Sequence, residues 1–186
     1  RRILVSQGLW PMPRKTPLNA VIHGKLERNT YTVEKVYFES FPGFYVTGNL
    51  YRPRTISGQA PAVLCPHGHW ANGRFHDKGA EQALAEIKRG EEQFPDSGRS
   101  HLQARCVTLA RMGCVVFHYD MIGYADSTQI SFDLAHRFAV QRPHMNRPSG
   151  WGLFSPQAES HLQSVMGLQT YNSPVSYTHL TLPTKA

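Results

Sequence analysis

The chain has 186 residues, of which 40% are hydrophobic and 18% are charged, a composition typical of one globular domain that can bury a core. Its net charge of +7 is scattered rather than concentrated in a dense Lys/Arg run or an aromatic-interleaved patch, so we predict no nucleic-acid partner. No apolar run approaches the roughly 18 residues that cross a bilayer, so we predict no membrane partner. The three cysteines form no C-x-x-C pair, which argues against a disulfide framework and a zinc knuckle.

The N-terminal quarter predicts an edge segment followed by an antiparallel hairpin. Residues 1–30 include three prolines between positions 11 and 17, which prevent a long helix, so we expect them to wrap the edge of a sheet. The runs Tyr31–Phe38 and Phe44–Tyr51 are rich in β-branched and aromatic residues. A Pro-Gly pair ending at Gly43 lies between them and is typical of a tight turn, so the two runs are predicted to pair.

The stretch Ala62-Val-Leu-Cys65 is apolar without alternation, which predicts a strand covered on both faces, as in a parallel sheet. Pro66 ends the ladder, and Gly68 in the following His67-Gly68 pair allows a sharp turn. Ligands of open α/β sheets bind beyond the carboxyl ends of the strands. Backbone N–H groups in such a loop are suited to hold a developing oxyanion.

A β-α-β unit is predicted to continue from this strand. Residues 71–99 are too many for a minimal connection, so we expect an insertion near the strand ends, with a helix over Glu81–Lys88 whose apolar side carries Ala83, Leu84 and Ile87. Ser100 and Gln103 have the spacing of a capping box, and apolar residues recur at helical intervals until Gly113. The apolar run Cys114–Tyr119 is the second strand, and it ends in Asp120.

The C-terminal third is less regular. Residues 129–156, rich in aromatic side chains and arginine, are predicted to form a second insertion near the site, and a helix is predicted from Gln157 to Leu168 with Met166 on its apolar face. Residues 174–186 have no helical period and resemble the translation of a sequencing-library adapter. We therefore expect the natural protein to be interrupted near Ser173, and Arg1 in place of an initiator methionine indicates a cut start.

Four motifs occur in an order and spacing that resemble the α/β-hydrolase superfamily, in particular its acetylxylan-esterase and dienelactone-hydrolase-like branches. They are Gly43-Phe-Tyr-Val-Thr-Gly-Asn-Leu-Tyr-Arg-Pro53, the His67-Gly68 loop, Asp120-x-x-Gly123-x-x-x-Ser127 and Gly167-Leu-Gln-Thr-Tyr-Asn-Ser173. The resemblance covers residues 31–173 and implies an incomplete α/β-hydrolase fold, the N-terminal half of a mostly parallel, doubly wound sheet. It also implies hydrolysis of a small-molecule or carbohydrate ester through an acyl-serine, without metal or organic cofactor, and favours a secreted or periplasmic location.

The same resemblance assigns roles around the His-Gly pair. In those esterases the residue after His-Gly donates a backbone N–H to the tetrahedral intermediate, a role that corresponds here to the main chain of His69. The family often has an aromatic residue at this position, so Trp70 stays an alternative donor. His67, Gly68 and Trp70 are expected to border the substrate pocket, with the His67 ring bonded to nearby backbone. We expect the carboxylate of Asp120 to hold the Gly123 loop rather than to take part in catalysis.

The chain lacks the rest of a serine-hydrolase site. It contains no G-x-S-x-G elbow, and in the resembled family the nucleophile, the acid and the catalytic histidine all follow the helix predicted from Gln157. We therefore expect this polypeptide to be inactive, and to fold poorly because its sheet lacks the later strands.

Two other interpretations remain open at this point. The first is a metal-dependent hydrolase that uses His67, His69 and His76 as ligands, although no carboxylate follows until Asp77. The second is a non-catalytic binding module on a degenerate hydrolase scaffold, because a fold does not fix a function.

Overall fold

The computed structural model describes residues 1–136 and 164–180, which form a mixed α/β structure around one five-stranded sheet of order β1-β2-β3-β5-β4. The strands are β1 Val21–Glu27, β2 Tyr31–Phe41, β3 Phe44–Pro53, β4 Ala62–Leu64 and β5 Val115–Tyr119. The helices are α1 Arg2–Ser6, α2 Ala80–Lys88, α3 Pro95–Arg99, α4 His101–Arg111, α5 Phe132–His136 and α6 Val165–Leu180, with a 3-10 turn at Gly73–Phe75.

The predicted hairpin is confirmed. Strands β2 and β3 pair antiparallel along their length, and Gly43 takes the positive φ of 75° that the turn between them requires. Phe38, Val46 and Leu50 of this pair are buried against Phe117 of β5, and they form the core of one sheet face. Strand β2 is three residues longer than the sequence predicts.

The β-α-β unit is also confirmed, and it forms the core of the other face. Strands β4 and β5 pair in parallel, and α4 connects them with Leu102, Cys106 and Ala110 buried. At the end of α4 the N–H of Cys114 donates to the carbonyl of Leu109, and Gly113 has a φ of 97°, so the helix ends in a Schellman motif.

The prediction of a capping box at the start of α4 is wrong. Ser100 is the N-cap residue, but its side chain makes no capping hydrogen bond. The reason is that α3 ends one residue earlier, at Arg99, and the N–H of Ser100 still donates to the carbonyl of Asp96. The backbone conformation of Ser100 is therefore set by two successive helices rather than by a free N-cap.

Two strands differ from the prediction. The sequence predicts only an irregular edge-wrapping segment where β1 lies, but β1 pairs antiparallel with β2. All seven of its residues are exposed, so its sequence shows no alternation of apolar and polar residues. Strand β4 was expected to be covered on both faces. Within the described ranges it lies at the other edge of the sheet, is three residues long, and is only half-buried.

The helices differ from the prediction in three details. Helix α2 agrees with the predicted Glu81–Lys88, but Leu84 is exposed and only Ala83 is buried. Helix α6 continues through Pro174 to Leu180, past the point where the sequence predicts the helical pattern to stop, because Val175 packs against the core of the β2–β3 face. Met166, expected on its apolar face, is exposed.

Several predictions concern residues outside these ranges. Most of the predicted 129–156 insertion, the start of the helix predicted from Gln157 and residues 181–186 lie outside the described chain, and the adapter origin of residues 174–186 stays a prediction. Among the described helices, none is both long and apolar enough to cross a lipid bilayer.

Candidate active site

Two loops begin at the same edge of the sheet, because β4 and β5 are parallel and neighbouring. The first follows Cys65, whose N–H donates to the carbonyl of Phe117 at 2.9 Å, and it contains the His67-Gly68 pair. The second begins at Asp120, directly after β5. This edge is where open α/β sheets bind their ligands, so the contacts between the two loops define the candidate site.

The His67 ring joins the two loops. Its Nδ1 lies 2.8 Å from the carbonyl oxygen of Gly68, and its Nε2 accepts the N–H of Met121 at 3.1 Å. Since Nε2 accepts, we assign the proton to Nδ1, which donates to Gly68. Burial lowers the pKa of His67, in agreement with this neutral form. The prediction that the ring bonds to nearby backbone is confirmed. The ring is 4% exposed, so it stabilises the loop from the protein interior.

A second link, which the sequence did not predict, is made by Arg74. Its side chain is 1% exposed, and its two terminal nitrogens donate to the carboxylates of Asp120 and Asp126, the latter at 2.5 Å. The Asp120 carboxylate also accepts the Thr47 hydroxyl at 2.6 Å and the N–H of Asp126 at 3.3 Å. It therefore holds the loop around Gly123, as expected.

Opposing effects act on the pKa of Asp120, and burial is the larger, so the pKa lies above its ordinary value. Burial raises the pKa of Asp120, whereas the Arg74 guanidinium and the Thr47 hydroxyl lower it by stabilising the carboxylate. Three donors converge on Oδ2, and Oδ1 has no hydrogen-bond partner within the described residues. We regard this group as a structural ion pair, since the carboxylate is buried and already occupied by its partners.

Gly73 allows Arg74 to reach its position. Its φ is 55°, and a Cβ at this position would lie 2.9 Å from the His67 ring and 3.0 Å from Cβ of Tyr124. Any larger residue would therefore push apart the two loops that His67 and Arg74 hold together.

A third link connects His69 with the second loop. Its Nδ1 lies 3.0 Å from the hydroxyl of Tyr124, and its ring centroid is 5.0 Å from that of His136 in α5. His136 in turn places Nε2 2.7 Å from the carbonyl oxygen of Ile122. Partial burial lowers the pKa of His69. The sequence singled out His69 for its main chain, and the structure adds Tyr124 and His136 as the groups that position it.

Trp70 has its backbone and its side chain in different roles. Its N–H donates to the carbonyl of Gly68 at 2.8 Å, closing a three-residue turn around His69. Its indole is 43% exposed and lies 5.3 Å from the His76 ring and 5.4 Å from the His101 ring. The exposed indole can contact a ligand, whereas the N–H already has an acceptor.

The three histidines considered as metal ligands do not converge. Both ring nitrogens of His67 have backbone partners, His69 faces Tyr124, and His76 places its Nδ1 3.1 Å from the carbonyl oxygen of Ala71. In residues 1–136 and 164–180 no group of three or more His, Cys, Asp or Glu side chains has the arrangement of a metal site.

Comparison with known proteins gives structural likeness alone. No protein-family model matches the chain, and no curated protein matches it. A crystal structure from Bacteroides fragilis NCTC 9343, of a protein assigned as an acetyl xylan esterase, has a TM-score of 0.56 and 15% identity, covering 95% of this chain and 41% of that one. The two share a fold. Methylesterase BT1017 has a TM-score of 0.49 and 28% identity, covering 73% of this chain and 24% of that one.

The likeness to the Bacteroides structure concerns the fold alone. The mixed α/β structure with its five-stranded sheet is consistent with an α/β-hydrolase-like fold, as the motifs implied. The chain spans less than half the length of either structure that it resembles.

Proposed function

We propose that this chain is the first part of a serine esterase of the α/β-hydrolase type, and that the whole protein hydrolyses a carboxylic ester, such as an acetyl group on a carbohydrate or a small ester. The observation that carries the proposal is the pair of loops that follow β4 and β5 at one edge of the sheet. A His-Gly turn follows one strand, an Asp-x-x-Gly loop follows its parallel neighbour, and His67 and Arg74 hold the two together. The shared fold with the Bacteroides protein is consistent with it.

In this proposal the main-chain N–H of His69 stabilises the oxyanion. A serine supplied by the later sequence attacks the ester carbonyl, and the negative charge that develops on the carbonyl oxygen is met by this N–H. Trp70 is the weaker of the two donors, because its N–H already bonds to the carbonyl of Gly68. One such donor contributes about 3 kcal/mol of transition-state stabilisation.

The side chains around this donor support the turn rather than perform the chemistry. Tyr124 bonds to the His69 ring, and the buried His67 ring fixes the carbonyl of Gly68, so the turn is rigid before substrate arrives. Gly68 and the exposed indole of Trp70 border the pocket for the ester. The acid and the catalytic histidine of the triad belong to the later sequence, as does the serine.

The decisive experiment is to extend the reading frame beyond residue 173 in the source DNA and to express the longer protein. We expect a strand-turn-helix with serine in a G-x-S-x-G elbow, covalent labelling of that serine by a fluorophosphonate, and turnover of an aryl acetate. The 186-residue chain, which lacks the elbow, should neither be labelled nor turn over the ester. If the continuation contains no elbow serine, the esterase proposal is wrong and a binding module becomes the better interpretation.

A further inference from the structure

A cavity of about 350 Å³ lies between the N-terminal segment, the end of β2 and helix α6. None of its lining residues belongs to the two loops of the candidate active site. Its size is within the range of pockets that bind small molecules, roughly 300–1,000 Å³. It is lined mainly by apolar groups, with few polar ones: Met12, Pro13, Leu18, Tyr171, Pro174 and Val175, together with Lys15, Thr16 and Ser40.

Two of the polar residues that line the cavity, Ser40 and Lys15, differ in how far they are buried. Ser40 is 3% exposed, and its hydroxyl has no hydrogen-bond partner among the described residues. A buried hydroxyl without a partner is destabilising, so this serine costs stability unless something else satisfies it. Lys15 is exposed at the rim and forms no ion pair within residues 1–136 and 164–180. The lining thus combines a buried hydroxyl, that of Ser40, with an exposed cation, that of Lys15.

The aromatic and aliphatic residues that line the cavity favour a flat ligand. Tyr171 is buried, and its ring centroid lies 4.5 Å from that of Phe41 with the planes inclined by 33°. A third ring can extend such a pair, because aromatic rings gain from offset or tilted contact. Leu18 and Met12 supply the remaining apolar surface.

We propose that this cavity binds an aromatic monocarboxylate that carries a ring hydroxyl, with the carboxylate at Lys15 and the hydroxyl at Ser40. Rotation about the Cα–Cβ bond of Ser40 brings its Oγ to the ligand. The ring then lies against Leu18 and Tyr171. This is a binding site only, it includes no reaction, and it does not depend on the proposed esterase function.

Two wall residues, Pro174 and Val175, lie beyond Ser173, in the stretch for which the sequence predicts an adapter origin. The side chains that give the site its chemical selectivity, Ser40 and Lys15, both lie before that point. The test therefore places its substitutions at these two positions and uses the 186-residue chain.

The experiment titrates the chain with three probes, followed by NMR or calorimetry. The first is 3-(4-hydroxyphenyl)propionate, the second is 3-phenylpropionate, which lacks the hydroxyl, and the third is 4-ethylphenol, which lacks the carboxylate. We expect the first to bind most tightly, with about fivefold to tenfold weaker binding when either group is removed. Ser40→Ala should abolish the difference between the first two probes, and Lys15→Gln the difference between the first and the third.

Matched controls are Ser57→Ala and Lys88→Gln, which change an exposed serine and an exposed lysine away from the cavity and should leave all three affinities as they are. Ser40→Ala should also raise the urea midpoint, because it removes a buried hydroxyl without a partner. If that variant does not fold, the ranking of the three probes on the unsubstituted chain decides alone. Equal affinity for the three probes, or no saturable binding by a chain with a native circular dichroism spectrum, would overturn the proposal.

Discussion

Arg74 is the residue on which the candidate site depends most. Its guanidinium is buried, and it ties the loop after β4 to two carboxylates of the loop after β5. A buried arginine without its carboxylate partner, or the carboxylate without the arginine, is an uncompensated charge in a low-dielectric environment. The stability of the loop pair should therefore respond strongly to substitution at this position.

Replacing Arg74 with alanine is expected to lower the free energy of unfolding by about 3–5 kcal/mol, because Asp120 is left buried without its counter-charge. Urea unfolding followed by circular dichroism measures the change. Arg99→Ala is the matched control, since Arg99 pairs with Asp77 at the surface, where both side chains are 40% or more exposed. Its effect should be much smaller. Equal effects of the two substitutions would show that the Arg74 pair is not a buried structural link.

His118, the fourth of the five residues of β5, is expected to make the stability of the chain sensitive to acid. Its side chain is fully buried, neither ring nitrogen has a hydrogen-bond partner in the described residues, and burial lowers its pKa to about 3. The unfolded chain binds the proton near pH 6.5, and the folded chain only near pH 3. Stability is therefore fully present above pH 6.5 and is lost as the pH falls toward 3, by at most about 1.4 kcal/mol per pH unit from this residue.

The measurement is the free energy of unfolding at several pH values between 7.5 and 4.5. His118→Leu should make this dependence shallower, whereas His23→Leu, on the exposed outer strand β1, should leave it unchanged. A pH dependence that is the same in the unsubstituted chain and in His118→Leu would contradict the assignment.

At the scale of elements, the two hydrogen-bonding edges of β4 differ: one pairs with β5, and the other has no neighbouring strand in the described sheet. The N–H of Val115 donates to Pro61 and that of Cys65 donates to Phe117, so these positions face β5. Alternate residues of a strand point to opposite neighbours, so the N–H of Leu64 points away from β5, toward the edge at which the described sheet ends. This edge is where the proposed function requires the later strands to pair.

The amide hydrogen of Leu64 should consequently exchange with solvent much faster than that of Cys65 in the 186-residue chain. In the longer protein it should become protected, because a new strand supplies its acceptor. Amide exchange followed by NMR distinguishes the two amides, with Phe117 in β5, which has a neighbouring strand on each side, as the protected reference. Slow exchange of Leu64 in the short chain would show that this edge is already covered.

The elements differ in how well local sequence predicts them, for identifiable reasons. The β2–β3 hairpin and helix α4 were predicted because one face of each is buried and their ends contain glycine at turn or C-cap positions. Strand β1 escaped prediction because it is exposed throughout, so its residues carry no alternation. The capping role of Ser100 failed because a preceding helix, which no local pattern announced, already fixes its backbone.

The candidate site was predictable only in part. The His67-Gly68 turn and the Asp120 loop are local patterns that can be recognised one at a time. The contribution of Arg74 depends on a partner 46 residues away, and that of Tyr124 on a partner 55 residues away. Nothing in the local sequence distinguishes Arg74 from a surface arginine. The neighbouring Gly73 is the one local sign that another part of the chain packs closely against this backbone.

At the scale of the whole molecule, the chain spans 41% of the Bacteroides structure that it resembles, and the proposed function makes it part of a longer protein. A sheet that lacks neighbouring strands buries less apolar surface per residue, so it is less stable. We expect the longer protein to unfold at a higher urea concentration and with a steeper dependence on urea, since that slope scales with the surface exposed. Equal midpoints for the short and long proteins would indicate that the described residues are a complete folding unit.

The contacts between the two site loops also bear on the order of events during synthesis. The hydrogen bonds and ion pairs described between them involve residues from His67 to Asp126, which are translated before any later strand of the proposed longer protein. The ribosome releases a chain from its N-terminal end, at about 5–20 residues per second. We therefore expect the residues that make these contacts to be available first during synthesis, so that the segment that carries the nucleophile packs against them and completes the sheet.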